Sequence, residues 1–258
     1  MKKENPSFAK YKLLAVLALS ALFPSCDRQV SRSQIESAVK PNQSETPIQT
    51  LKPNAAKEQI SQVVRTVFQD SKGQIWFGTQ GGALKLSNGS LTRVDDIISE
   101  NGKGVTIKDI AEDKEGRIWI AHTDGISKVE GGVVSNYYES DGLISNDVWC
   151  IETDKNNQVW IGTTEGVCNY DGNNFVSFEL PEGIVDTTVG ISSSKMIHGI
   201  MEDSDGRMWF STNSGIYIKD KNSLVNISEK EGLQTPFVNE VIETEVGDCL
   251  ISTSKGLY

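Results

Sequence analysis

The chain has 258 residues, 25 Lys and Arg against 35 Asp and Glu, and a net charge of −10. So acidic a surface repels nucleic acid and anionic lipid headgroups, which excludes DNA and RNA as partners. Its four cysteines show no Cys-x-x-Cys spacing and join no Cys/His cluster, so no metal centre and no cofactor is expected.

The N-terminus reads as an export signal. Lys2, Lys3, Lys10 and Lys12 precede the apolar run LLAVLALSALF, Leu13 to Phe23. That run is too short to span a bilayer and has signal-peptide flanks. It stops at FPSC, with the small Ser25 before Cys26. This resembles a bacterial lipoprotein signal, which implies removal of residues 1–25, lipidation of Cys26 and residence in the cell envelope. The alternative is a plain secretory signal with an incidental cysteine. Residues 26–46 are polar and aperiodic, as expected of a flexible tether between a membrane and a domain spanning 47–258.

From residue 70 one segment recurs. DSKGQIWFGTQGGALKL returns from Asp113, Asp154 and Asp203, and in part as TEVGDCLISTSKGLY from Thr244. Trp76, Trp119, Trp160, Trp209 and Leu250 share a column, separated by 43, 41, 49 and 41 residues. Five copies mean architecture rather than a nucleotide loop, which would also need a Lys-Ser or Lys-Thr after its glycines. Each copy predicts four short strands, in the first VVRTVF, QIWFGT, ALKLS and SLTRV, with few helices anywhere. The Asp column closes the first strand. Gly73, Gly116, Asn157, Gly206 and Gly247, three residues later, supply the positive φ that a tight turn demands. The recurring Asp is therefore a turn residue, not a metal ligand or catalytic acid, and the recurring Trp packs between sheets. Cys168 and Cys249 fall on core columns, and no disulfide is expected between Cys150 and Cys168.

Four-stranded units of this size predict a β-propeller of five antiparallel blades. The fifth copy lacks a fourth strand. PIQTL, residues 47–51, is expected to supply it and close the ring, so that first and last residues pair. The segment SDGLISNDVWCIETDKNNQVWIGTTEGVCNYDGNNFVSF, 140 to 178, closely resembles the two-component regulator propeller repeat: Gly-Leu, then Asn-x-Val-x-x-Ile-x-x-Asp, then Gly-x-Ile-Trp-x-Gly-Thr. The resemblance covers roughly residues 47 to 258 and implies a propeller of the kind found in periplasmic sensor regions of membrane histidine kinases, often carbohydrate-responsive. Within these 258 residues neither a kinase nor a following immunoglobulin-like module is expected. What the resemblance implies for it is ligand binding.

Columns that hold one residue type hold the fold, and columns that vary are free for function. The inner strands open with Arg65-Thr66, Lys108-Asp109, Trp149-Cys150, His198-Gly199 and Asn239-Glu240, each between two apolar anchors. These pairs are expected to ring the channel mouth. The candidate ligand-binding set is Arg65, Lys108, Asp109, Trp149, His198, Asn239 and Glu240: polar forks around an aromatic platform, suited to a small molecule such as a glycan. The bland alternative is a polar wall wetted by channel water. The longest connection, 180 to 195, is expected on the same face, as a binding element or a neutral insertion. His122, in a Thr column, is expected to bond within a turn. The leading function is a monomeric, lipid-anchored binding propeller without catalysis, its partner a small molecule or an envelope protein. The alternatives are a glycosidase using Asp109 and Glu240, and a structural scaffold for an envelope complex.

Overall fold

The computed structural model describes residues 61–258, except 62, 192 and 229–231. The signal, Cys26, the tether and the strand expected at 47–51 lie outside the described residues. Each repeat forms one sheet, because alternating β-branched and aromatic residues suit a pleated, half-buried surface and tight turns join the runs. The blades are β1–β4 (Val64–Gln69, Ile75–Thr79, Gly82–Ser87, Ser90–Val94), β5–β8 (Ile107–Glu112, Ile118–His122, Gly125–Glu130, Val133–Tyr137) and β9–β12 (Val148–Thr153, Val159–Thr163, Gly166–Tyr170, Phe175–Phe178). They continue with β13–β16 (Ile197–Glu202, Met208–Thr212, Gly215–Lys219, Leu224–Asn226) and β17–β19 (Val238–Glu243, Cys249–Thr253, Gly256–Leu257). In every sheet, sequence neighbours are hydrogen-bonded neighbours. Helix among the described residues is a single 3₁₀ turn, Glu139–Asp141.

The Asp column does more than close a turn. Oδ1 of Asp154 accepts the backbone N–H groups of Asn156 and Gln158, both at 2.8 Å, while Oδ2 accepts the indole N–H of Trp160 at 3.1 Å. Asp70, Asp113 and Asp203 hold Trp76, Trp119 and Trp209 in the same way, at 2.9, 2.7 and 2.6 Å. In between, Gly73, Gly116, Gly206 and Gly247 adopt φ of 74 to 89°, and Asn157, the non-glycine of the column, adopts 66°. The expectation of positive φ is met at every copy. Asp203 also accepts from Arg207 Nε at 2.6 Å. Burial would raise its carboxyl, but the bonds from Trp209 and Arg207 and the charge of Arg207 outweigh that and hold it below the usual carboxylate range.

Each clipped indole packs onto the next blade. Trp76 meets Ile107, Ile110 and Ile120, Trp119 meets Val148, Ile151 and Ile161, Trp160 meets Ile197, Ile200 and Phe210, and Trp209 meets Val238 and Val241. Truncating a buried Trp typically costs about 3–5 kcal/mol, so these four seams dominate cohesion. Close approach needs small residues. A Cβ on Gly162 would lie 2.4 Å from Cys150 Sγ and 2.8 Å from Ile197 Cγ2. At the rim, the residue after the turn Asp binds the next blade: Ser71 N–H and hydroxyl to Glu112 at 2.6 and 2.7 Å, Ser204 likewise to Glu243 at 2.8 and 2.7 Å.

The two end blades differ. Val64 and Val67 are 52 % and 57 % exposed, whereas Ile107 and Ile110 in the same columns are 0 % and 5 %. Leu250 and Ile251 are only half-buried. Among the described residues the leading face of β1 and the trailing face of the fifth blade do not cover one another. Of the described cysteines, Cys150 and Cys168 are buried, Cys249 is half-buried, and all three are free.

The clip predicts its own cost. Asp154→Ala strands one indole and two amide donors and should destabilise by about 3 kcal/mol. Asp154→Asn, whose amide oxygen still serves the two backbone donors, should lose about half as much. Urea unfolding followed by tryptophan emission measures both; an alanine variant within about 0.5 kcal/mol of wild type would sink the clip as a stabilising element.

Candidate functional site

The column proposed from sequence is structurally singular. In every inner strand the register with its neighbour slips by one residue, between Val64 and Thr66, Ile107 and Asp109, Val148 and Cys150, Ile197 and Gly199, and Val238 and Glu240. The residue left over is Arg65, Lys108, Trp149, His198 or Asn239. A bulge releases its extra residue from the ladder and re-aims the side chain. Five bulges at one height therefore present five dissimilar side chains on the face where the inner strands begin.

The structure joins part of this set into one cluster. Lys108 Nζ lies 3.7 Å from the centroid of the Trp149 ring and pairs with Asp147. Trp149 Nε1–H donates to the other Asp147 oxygen at 3.0 Å. Burial lowers the Lys108 pKa, the charge of nearby Arg65 adds to this, and Asp147 opposes it. The Trp149 platform is thus not bare: the chain's own ammonium covers one face. Asp147 was not among the sequence candidates, because it lies outside the varied column, one residue before the apolar anchor Val148.

His198 belongs to a second cluster. Its Nε2 is 2.7 Å from Asn213 Oδ1 and its ring centroid 4.7 Å from that of Phe237. Asn213 Nδ2 donates to the carbonyl of Ser193, in the long connection. The Asn213 oxygen therefore accepts, and His198 carries its proton on Nε2. Burial lowers the His198 pKa. The connection 180 to 195 lies, as expected, on the face of the inner-strand starts: Gly183 abuts Ser214 in the β14–β15 turn.

Asp109 has a different role from the one read in sequence. Its Oδ1 accepts the N–H of Ile110 and its Oδ2 the N–H of Ile151 on the next inner strand, both at 2.9 Å. Both oxygens are committed to backbone, so Asp109 ties two blades together. Glu240 is half-buried, and Arg65 and Asn239 are exposed. His122 serves its turn as expected: Nδ1 accepts the Asp124 N–H at 3.3 Å and Nε2 meets Ser127 Oγ at 3.1 Å. Burial, aided by the charge of Lys108, pulls its pKa down to about 4, so it is a neutral core group. Among the described residues no cluster of three or more His, Cys, Asp or Glu could hold a metal ion.

The pattern described as "Two component regulator propeller" matches residues 58–81, 101–124, 142–165 and 190–214. The chain carries two-component regulator propeller repeats. No curated protein matches it. Among solved structures it is similar to one described as the extracellular domain of the hybrid two component system BT3049 from B. thetaiotaomicron, with 25 % identity and a TM-score of 0.64. That similarity covers 77 % of this chain but only 27 % of BT3049, so the chain spans about a quarter of that neighbour. A virginiamycin B lyase from Staphylococcus aureus, 12 % identical with a TM-score of 0.57 over 74 % of this chain and 67 % of the lyase, shares the fold. The four matched regulator propeller repeats each end at the turn after the second strand of a blade, so the repeat boundary is offset from the blade boundary.

Lys108→Met removes the cation above Trp149 while keeping a side chain of similar length. Acrylamide quenching of tryptophan emission should rise, since Trp76, Trp119, Trp160 and Trp209 are buried and Trp149 supplies the accessible signal. Stability should fall by no more than about 1 kcal/mol. Unchanged quenching would show that Lys108 does not shield the ring.

Proposed function

We propose that this chain is an exported, lipid-anchored, sensor-type propeller. It binds a small molecule or an envelope partner at the mouth of its inner strands and has no catalysis of its own. The observation that carries this reading is the five bulges at one height, each lifting a different polar or aromatic side chain out of the ladder. A residue released from the ladder is not held to one chemistry by the fold, so this column is free to vary for recognition. The regulator propeller repeats and the extracellular sensor-system neighbour support the same reading and an envelope location. The hydrolase alternative asks for two available carboxylates, and Asp109 spends both oxygens on backbone amides.

The reading includes a ring closed by residues 47–51. A cavity of about 460 Å³ beside the open edge of β19 is lined by Ile218, Ile227, Leu233, Ile251 and Tyr258.

Two measurements test the proposal. In thermal-shift screening of the chain against glycans, a ligand at about 100 times its dissociation constant should raise Tm by about 5–10 °C. Trp149→Ala should remove most of that shift; a hit unaffected by Trp149→Ala, Arg65→Ala and His198→Ala would place binding elsewhere. For the anchor, Cys26→Ser should move the protein from the membrane to the soluble fraction, and equal membrane retention would refute lipidation.

A further inference from the structure

A second feature on the same face meets the column above only through Asn213, which bonds both His198 and Ser193. Residues 180–195 cross from β12 over the β14–β15 turn as a strap. Three contacts pin it. The Pro181 carbonyl accepts the Tyr217 hydroxyl at 2.8 Å, the Ser193 carbonyl accepts Asn213 Nδ2, and Asp186 lies 3.9 Å from Lys255 Nζ on the fifth blade. Gly183 fits tightly: a Cβ there would be 2.5 Å from the Tyr217 oxygen and 2.7 Å from the Ser214 carbonyl. Between the pinned points the strap does not collapse onto the blades. A cavity of about 530 Å³ stays open between it, the turn of the third blade and the floor of the fourth. That volume is in the range of small-molecule sites, about 300–1,000 Å³.

We infer that this cavity is a second small-molecule site, and that it takes a polyhydroxylated cation, an amino sugar of one or two rings. The chemistry of the walls carries the assignment. Its floor is the buried hydroxyls of Thr212, Ser214 and Tyr217: Thr212 and Tyr217 donate to the Gly215 and Pro181 carbonyls, and Ser214 lies 3.2 Å from both of their oxygens, so the floor presents fixed acceptor lone pairs. Fixed hydroxyls match the hydroxyl array of a sugar. Phe178 and Leu180 give one apolar wall, suited to the C–H face of a pyranose. The rim sets the charge: Glu165, Glu179 and Glu182 stand against Lys195 alone. The Glu165 and Glu182 carboxylates have no hydrogen-bond or ion-pair partner among the described residues, so a ligand ammonium meets acceptors not already engaged. On a chain of net charge −10, the same rim turns away uronates, sulfated sugars and phosphates.

Titration calorimetry of the full chain at pH 6 tests the site with three probes: the β-1,4-linked glucosamine dimer, its N,N′-diacetyl form and digalacturonate. The glucosamine dimer should bind, the diacetyl dimer at least threefold more weakly, and the uronate not measurably. Glu182→Gln, on an exposed position where folding is not at stake, should weaken the glucosamine dimer about three- to tenfold. Trp149→Ala should leave it unchanged, which separates this site from the channel mouth. Three results overturn the inference: no binding of any probe, uronate binding as tight as that of the amine, or a larger loss with Trp149→Ala than with Glu182→Gln.

Discussion

Four buried carboxylates carry the architecture. Each turn Asp uses one oxygen to hold backbone donors of its own hairpin and the other to hold an indole, so a single side chain sets both the turn and the orientation of the ring that seals the next seam. A charged acceptor makes these bonds stronger than neutral ones, and the indole, once its N–H is satisfied, is free to bury the rest of its surface. The fifth repeat shows the dependence by contrast. Thr244 and Leu250 replace Asp and Trp, the hydroxyl of Thr244 accepts one amide, from Asp248, and the strand that is wholly buried in the three middle blades is only partly buried there.

With cohesion placed in the seams, the starts of the inner strands are relieved of packing duty. The bulge completes the separation. Anchors such as Ile107 and Ile110 keep their places on the neighbouring blade while Lys108, between them, leaves the ladder. One exception proves instructive: Asp109 returns to structural work by bonding Ile151 across the seam, so adjacency to the varied column does not make a residue available. The face where the inner strands begin then carries two unlike clusters, a cation on an aromatic ring at the second and third sheets and an imidazole held by an amide at the fourth.

The strap adds a third element. Asn213 bonds His198 through one end of its amide and Ser193 through the other, so the bulge column and the strap share a side chain. The surface is therefore built by the longest insertion and the one imidazole of the column together, on a scaffold whose four seams are already complete without them.

Sequence by itself determined the repeat, the number of sheets, the turn glycines with Asn157 as their substitute, and the interblade place of the Trp column, because these follow from spacing and backbone sterics that recur five times. It also located the column of Arg65, Lys108, Trp149, His198 and Asn239. Tertiary structure alone decided what those residues touch. Lys108 and Trp149 are 41 positions apart and meet only because consecutive blades bring their bulges side by side. Asp147 and Asn213 enter from turns outside the column, and no periodicity marks them. A bulge is one residue of slippage between two strands, a property of the pair that neither strand states on its own. The cavity beneath 180 to 195 likewise depends on where Gly183, Asn213 and Lys255 pin the strap, contacts between three segments that local pattern cannot bring together.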